Sequence, residues 1–378
     1  MAGVCRHLRL IDHWLQALSS RPLRRVDATV LWVLRVALYQ IGWLRVPDYA
    51  SVDEAVRLVG MLGCGRARPF ANAVLRSFLR SRPEEPTGDS PQALAIRHSH
   101  PEWLVGRWCR RFGSQRTEEI LRRNNLPPPS VVRINTFRIR PEEFLDRLSE
   151  AGIPGEAMAG VPACVRVERR GFVRDDLYRK GYCFFMDYSS QRVAHLGDPG
   201  RDRPVVDLCA APGGKSFILA SRLPSGSTLT CVDVDRERLA QMRARARQLQ
   251  VPSLSFLQAD ATCPLPLKPE FGFVLADVPC SGLGTIRSNP DLRWFVREED
   301  LGRWQERQQR ILHQAFQLLG EEGELVYSTC SSEPEENEQV VESFLQTVTR
   351  ARLIGEYWRS FPPEGPGDGF FAARIGRS

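Results

Sequence analysis

The stretch DLCAAPGGKS, residues 207–216, follows an apolar run from Pro204 to Leu208 and opens onto a helical pattern. A strand that stops at a loop of small residues and re-enters as a helix is a βα turn of a doubly wound α/β sheet, where ligands sit beyond the carboxyl ends of parallel strands. Alanines and two adjacent glycines let backbone approach a ligand closely, and the helix start offers free N–H groups. The loop lacks the first glycine of G-x-x-x-x-G-K-[ST] and does not spell G-x-G-x-x-G, so neither a nucleoside triphosphate nor a dinucleotide is favoured.

Outward from this loop, from about residue 200, apolar segments alternate with helical ones. PVVDLC, STLTCVDVD, LSFLQAD, FGFVLADVPC and GELVYSTC read as strands, and RERLAQMRARARQLQ and EEDLGRWQERQQRILHQAFQLLG as helices. The alternation predicts a parallel, doubly wound sheet, with GDGFFAARI as a last edge strand. The second strand ends in Asp233, where an acid accepts from ribose hydroxyls, and Asp260 closes the third, within reach of an adenine amino group. Loop, ribose acid and adenine acid describe an adenosine-bearing ligand without a pyrophosphate, and S-adenosylmethionine fits that description.

Strands four and five end ADVPCSG and YSTCSS, so adjacent strands would bring Asp277, Cys280 and Cys330 to one crevice. Two thiols beside an acid and a cofactor loop point to nucleophilic chemistry. D-V-P-C stands where amino-group methylases carry a proline pair and an aromatic, which disfavours an exocyclic nitrogen as the target. Carbon methylation of a pyrimidine needs a thiol: a thiolate adding at C6 of cytosine makes C5 nucleophilic, and its later elimination restores aromaticity. Asp277 would hydrogen-bond the base, and Lys215 would favour the thiolate, whose free pKa of about 8.5 leaves little of it at neutral pH. The residues by themselves do not rank Cys280 against Cys330.

Upstream the chain is helical. Leu8, Ile11, Trp14, Leu15 and Leu18 share a helical face, Ser51 and Glu54 read as a capping box, and RPEEPTGDSP reads as a linker. Four segments are expected: a helical domain over 1–85, a linker and helices over 86–125, a small α+β module over 126–195, and the doubly wound domain over 196–378. The apolar run Ala28–Leu44 is broken by Arg35 and Gln40 and is shorter than the ~20 residues of a membrane span, so it is expected to be a buried helix. Net charge is +7; residues 1–125 carry 20 arginines against 11 acids, +9, which leaves −2 for the rest. A basic front half suits a polyanion partner, with Arg287 and Arg293 of the loop GTIRSNPDLRW lining the path to the crevice. Ten cysteines without a C-x-x-C pair or zinc spacing suit a reduced, cytoplasmic protein without a metal.

DLCAAPGGKS, VDVD, ADVPCSGLGTIRSNPDLRW and YSTCSSEPEENEQVV closely resemble the NOL1/NOP2/Sun family of RNA 5-methylcytosine methyltransferases, as do VVRINT, FFMDYSSQ and GDGFF. The helical front half resembles the NusB-like domain of the family's bacterial RsmB-type branch, with the opening helices of that domain expected to be missing. The resemblance implies an α/β class I methyltransferase fold behind an all-α NusB-like domain and a small α+β module. It implies methylation of C5 of a cytosine in 16S ribosomal RNA, before full ribosome assembly, by a monomer. Cys330 would be the nucleophile and Cys280 the residue that releases product. The cofactor contacts would fall on Cys209, Ala210, Ala211, Pro212, Gly213, Gly214, Lys215, Asp233, Asp260 and Asp277. The same chemistry on transfer RNA or another ribosomal cytosine, and a non-catalytic RNA-binding or antitermination-type factor, are the competing readings; intact Cys280, Cys330 and Asp277 argue against the latter.

Overall fold

The computed structural model of the chain describes residues 2–44, 46–168, 172–200, 203–224, 226–362 and 365–378. It forms two units, Met1–Pro127 with Asn289–Glu298, and Pro128–Ser288 with Glu299–Ser378.

The first unit is helical. In α1 (Ala2–Leu18) the residues Leu10, Ile11, Trp14 and Leu15 are buried. Asp27 starts α2 (Ala28–Trp43) by accepting from the Thr29 and Val30 N–H groups at 2.8 and 3.2 Å, which satisfies donors a helix start leaves open. Val30, Val33, Leu34, Ala37 and Leu38 form its buried stripe, so the apolar run is a core helix. The expected cap at Ser51 is corrected: α3 (Asp48–Met61) begins after Pro47, and Ser51 lies inside it, buried with Val52 and Ala55. The earlier start adds a turn that the first-turn acid Asp48 favours. α4 (Arg68–Arg80) closes the core with Ala71, Val74, Leu75 and Phe78. α5 (Pro91–Arg97) and α6 (Glu102–Asn125), the latter broken at Gly113, belong to the same unit, as does the short helix Leu292–Phe295.

The second unit holds two sheets. β1 (Val131–Ile134), β2 (Gly155–Ala157), β3 (Cys164–Val167) and β4 (Cys183–Phe185) form an antiparallel sheet in the order β2-β3-β1-β4. α7 (Pro141–Glu150) packs Phe144 and Leu148 against Val132, Ile134 and Val165. The large sheet comprises β5 (Val205–Leu208), β6 (Leu229–Asp233), β7 (Leu254–Gln258), β8 (Phe271–Asp277), β9 (Leu319–Thr329), β10 (Ala351–Leu353), β11 (Trp358–Arg359) and β12 (Phe371–Arg377). Its order is β10-β12-β9-β8-β5-β6-β7, with β11 paired to β12. β5 to β9 run parallel, and β12 is antiparallel to β9. GDGFFAARI therefore does not supply the edge. β12 is an inner strand between β9 and β10, and its buried Phe371, Ala372, Ala373 and Ile375 are what a strand covered on both faces requires. From β5 the chain builds β6 and β7 to one side, then β8 and β9 to the other, so a crevice opens beyond the carboxyl ends of β5 and β8.

Candidate active site

Parallel register sets Leu208 beside Ala276 and Asp277 beside Ser328, so the residues just past β5, β8 and β9 share one edge of the sheet. The glycine loop turns at Gly213, whose φ is +104°; a Cβ there would lie 2.5 Å from the Phe217 ring, so only glycine fits. The helix Gly214–Ala220 follows directly. Asp233, at the end of β6, accepts from the Ala211 N–H and the Asp235 N–H, both at 3.0 Å, which locks the loop against the neighbouring strand. Asp260 accepts the Thr262 N–H and hydroxyl on Oδ1, and those bonds hold its carboxyl below the usual range.

Asp277 takes Lys215 Nζ at 2.6 Å on Oδ2 and the Ser328 hydroxyl at 2.7 Å on Oδ1. Burial alone would lower the Lys215 pKa, but the Asp277 carboxylate outweighs it and the ammonium is held above its ordinary value. Lys215 thus pairs with Asp277 rather than directly with a thiol, although the Cys330 sulfur contributes to the same shift. Cys280 and Cys330 lie with their sulfurs 3.3 Å apart. Cys330 and burial together push the Cys280 thiol well above its usual range. Burial does the same to the thiol of Cys209, at the turn after β5.

A cavity of about 300 Å³ is lined by Ala211, Asp233, Asp260, Asp277, Cys280 and Cys330, among others. A second, of about 170 Å³, shares Cys209, Ala211, Pro212 and Asp277 with it and adds Gly214, Lys215 and Arg245. Acids at the ends of β6 and of the segment after β7, a backbone loop and no phosphate-binding signature fit an adenosine cofactor carrying a positive sulfonium. Of the sequence-predicted residues, Cys209, Ala210, Ala211, Pro212, Gly214, Lys215, Asp233, Asp260, Asp277, Cys280 and Cys330 line these two cavities, and Gly213 forms the turn of the loop without lining either. Among the described residues, no group of three or more His, Cys, Asp or Glu could hold a metal ion, and no helix is long and apolar enough to cross a membrane.

The two arginines fare differently. Arg287 is half-buried on the loop beyond Cys280. Arg293 is fully buried in the first unit, donating to the Ser99 carbonyl at 2.9 Å, to Asn125 Oδ1 at 2.8 Å and to the Asn124 carbonyl at 3.3 Å. Its guanidinium has no exposed surface for a phosphate, so the expected RNA contact at Arg293 is corrected to a structural one. Sequence reasoning also missed Glu336, buried between the two cysteine loops, and the unpartnered Oδ1 of Asp207. Glu336 sits in the acidic run EPEENE, which reads as a solvated face, and no local signal marks it as buried.

Five parallel strands wound both ways from β5, with the crevice at the point of reversal, make the second unit a class I methyltransferase domain. Residues 194–375 match the family model described as 16S rRNA methyltransferase RsmB/F, residues 1–80 that of the NusB family, and residues 100–174 the ferredoxin-like domain of RsmF/B-like methyltransferases. Ribosomal RNA small subunit methyltransferase B of Escherichia coli O127:H6 is 32% identical over 99% of this chain and 88% of its own length. Probable ribosomal RNA small subunit methyltransferase B of Bacillus subtilis is 31% identical over 91% of this chain and 78% of its own length. A methyltransferase homolog protein from Pyrococcus horikoshii superposes with a TM-score of 0.69 at 25% identity, covering 77% of this chain and 100% of that one. The chain belongs to the RsmB/F family of 16S rRNA methyltransferases, which use S-adenosylmethionine.

Proposed function

We propose that this protein methylates C5 of a specific cytosine in 16S ribosomal RNA through a covalent adduct between Cys330 and C6 of the base. The observation that carries the reading is the pair of sulfurs, 3.3 Å apart, at the wall of a cavity that also meets Asp233, Asp260 and Asp277. Bound S-adenosylmethionine supplies an electrophilic methyl group; the glycine loop, Asp233 and Asp260 are the residues that would hold it. Cys330 Sγ bonds to C6, and the electron pair displaced from the C5–C6 double bond makes C5 the nucleophile for that methyl. Asp277, held by Lys215 and Ser328, would hydrogen-bond the base edge and stabilise the adduct. Once a general base, such as a water molecule in the crevice, takes the C5 proton, the C5–H electron pair re-forms the double bond, the C6–S bond breaks and Cys330 leaves as a thiolate. Cys280, with its sulfur 3.3 Å from that of Cys330, is the residue that would assist this release. The cytosine must leave its stack to enter such a crevice, which favours RNA not yet covered by ribosomal proteins. Arg287 would support the strand beside it.

The test uses three variants. Cys330→Ala should be inactive and trap no RNA. Cys280→Ala should methylate but release poorly, accumulating a protein–RNA species stable to denaturing gels, dependent on S-adenosylmethionine and abolished by adding Cys330→Ala. Trapping by Cys330→Ala alone would reverse the roles. Bisulfite sequencing of 16S RNA from cells with and without the gene identifies the nucleotide, and an unchanged pattern would overturn the ribosomal assignment.

A further inference from the structure

The loops that carry the two cysteines meet over a single buried carboxylate. Glu336 has no exposed surface. Its Oε1 accepts the Ser281 hydroxyl and the Ser331 hydroxyl, both at 2.5 Å, and its Oε2 accepts the Ser281 N–H at 2.8 Å and Gln308 Nε2 at 3.0 Å. Ser281 is the residue after Cys280, and Ser331 the residue after Cys330. Gln308 also donates to the Pro279 carbonyl at 3.1 Å, so the same group braces the residue before Cys280. The backbone of Glu336 is itself anchored, its carbonyl accepting the buried Tyr327 hydroxyl of β9 at 2.7 Å.

We propose that Glu336 is the positioning residue that sets the separation of Cys280 and Cys330, tying the two cysteine loops through Ser281 and Ser331. This rests on the cytosine reading for its catalytic consequence and on geometry alone for the separation itself. The hydrogen bonds of the carboxylate go to the serines and Gln308 rather than to a sulfur, so it fixes the thiols through the serines, while its charge also acts on Cys280. Four donors converge on it, and a carboxylate is the side chain that accepts from all four without presenting a donor of its own. Two weaker ties run beside it, the contact of Ser281 Oγ with Ser331 Oγ at 3.2 Å and the Gly284 N–H donating to the Cys330 carbonyl at 2.9 Å, but Glu336 is the group that takes both serines at once. Removing the carboxylate takes away the shared acceptor of both serines and leaves only those weaker ties to hold the loops in register. Attack at C6 requires Cys330 near its reacting position, and the elimination requires Cys280 beside it at a later step. A displacement of either thiol by an ångström should therefore slow turnover without weakening the distant ribose and adenine contacts.

The experiment measures separation and turnover independently on the full chain. Dibromobimane reads the separation: each of two neighbouring thiols displaces one bromide, and the doubly alkylated product fluoresces, with Cys280→Ala/Cys330→Ala as background. In Glu336→Ala the bridging rate should fall about tenfold and kcat about 100-fold. KM for RNA and the Kd for S-adenosylmethionine should each change by less than about threefold. Glu336→Gln, which preserves shape but sets an amide NH₂ among the donors, should show a smaller loss of both; it decides the matter if the alanine variant folds poorly. A cofactor-binding Glu336→Gln or Glu336→Ala with wild-type bridging and wild-type kcat would overturn the proposal. If the wild-type protein itself neither methylates cytosine nor traps RNA, the cytosine reading fails, and the bridging rates still decide whether Glu336 holds the thiols together.

Discussion

Asp207 ends in a conflict that the sheet imposes on it. One oxygen takes the Ser216 hydroxyl at 2.5 Å, the other has no partner, and burial pushes the carboxyl from 3.8 up to about 7. The unfolded chain loses this proton near pH 4, whereas the folded chain keeps it to about pH 7. Between those values the native state binds more protons, so stability falls as pH rises through the window and is fully present only below it. About three pKa units correspond to an effect on the order of 4 kcal/mol. Asp207→Asn keeps an acceptor for Ser216 and carries no titrating proton. Urea unfolding at pH 4.5 and pH 7.5 should show wild type losing stability relative to this variant as pH rises; parallel curves for the two proteins would refute the assignment. Residues at this scale were legible where position alone defines the role. Asp233 and Asp277 end parallel strands, and that places them at the crevice whatever surrounds them. The state of Asp207 was not legible, because it depends on what buries it.

At the scale of elements, local pattern carried further than local charge. Strand and helix alternation was enough to find β5 to β9, and hence to bring Cys280 and Cys330 to neighbouring strand ends. It could not place β12, since an antiparallel strand inserted between β9 and β10 is a matter of strand order, which no periodicity encodes. Nor could it show that Leu292–Phe295 packs with the helices of the first unit. Read as a charged residue in a polar loop, Arg293 belongs on the surface; in the fold its guanidinium serves two backbone carbonyls and an amide oxygen. Burial lowers its pKa to about 9, a cost those acceptors offset. Arg293→Met removes the donors and leaves buried acceptors unpaired, which should destabilise the first unit by about 2 kcal/mol or more. Thermal unfolding should register that loss while RNA affinity of the folded variant stays unchanged. A variant as stable as wild type but weaker on RNA would restore the phosphate role.

At the scale of the whole molecule, charge is divided between the units. Asn289–Glu298 contains two arginines and two acids, so adding it to the front half leaves the first unit at +9 and the second at −2. The catalytic unit therefore offers little net attraction to a polyanion beyond what its crevice provides, and the helical unit is the candidate for sequence-independent affinity. Arg24, Arg25 and Arg66 are exposed and make no ion pair among the described residues. If each neutralises one phosphate of single-stranded RNA, each contributes about −0.7 to the slope of log affinity against log salt. The triple variant Arg24→Gln/Arg25→Gln/Arg66→Gln should then bind a 16S RNA fragment more weakly at low salt, with a slope shallower by about 2. Cofactor affinity should be untouched, because the cavities belong to the second unit. Filter binding across a salt series, with calorimetry for the cofactor, measures both. An unchanged slope would remove these three side chains from RNA recognition, and the basic excess of the front half would then reflect arginine usage in a chain with only three lysines.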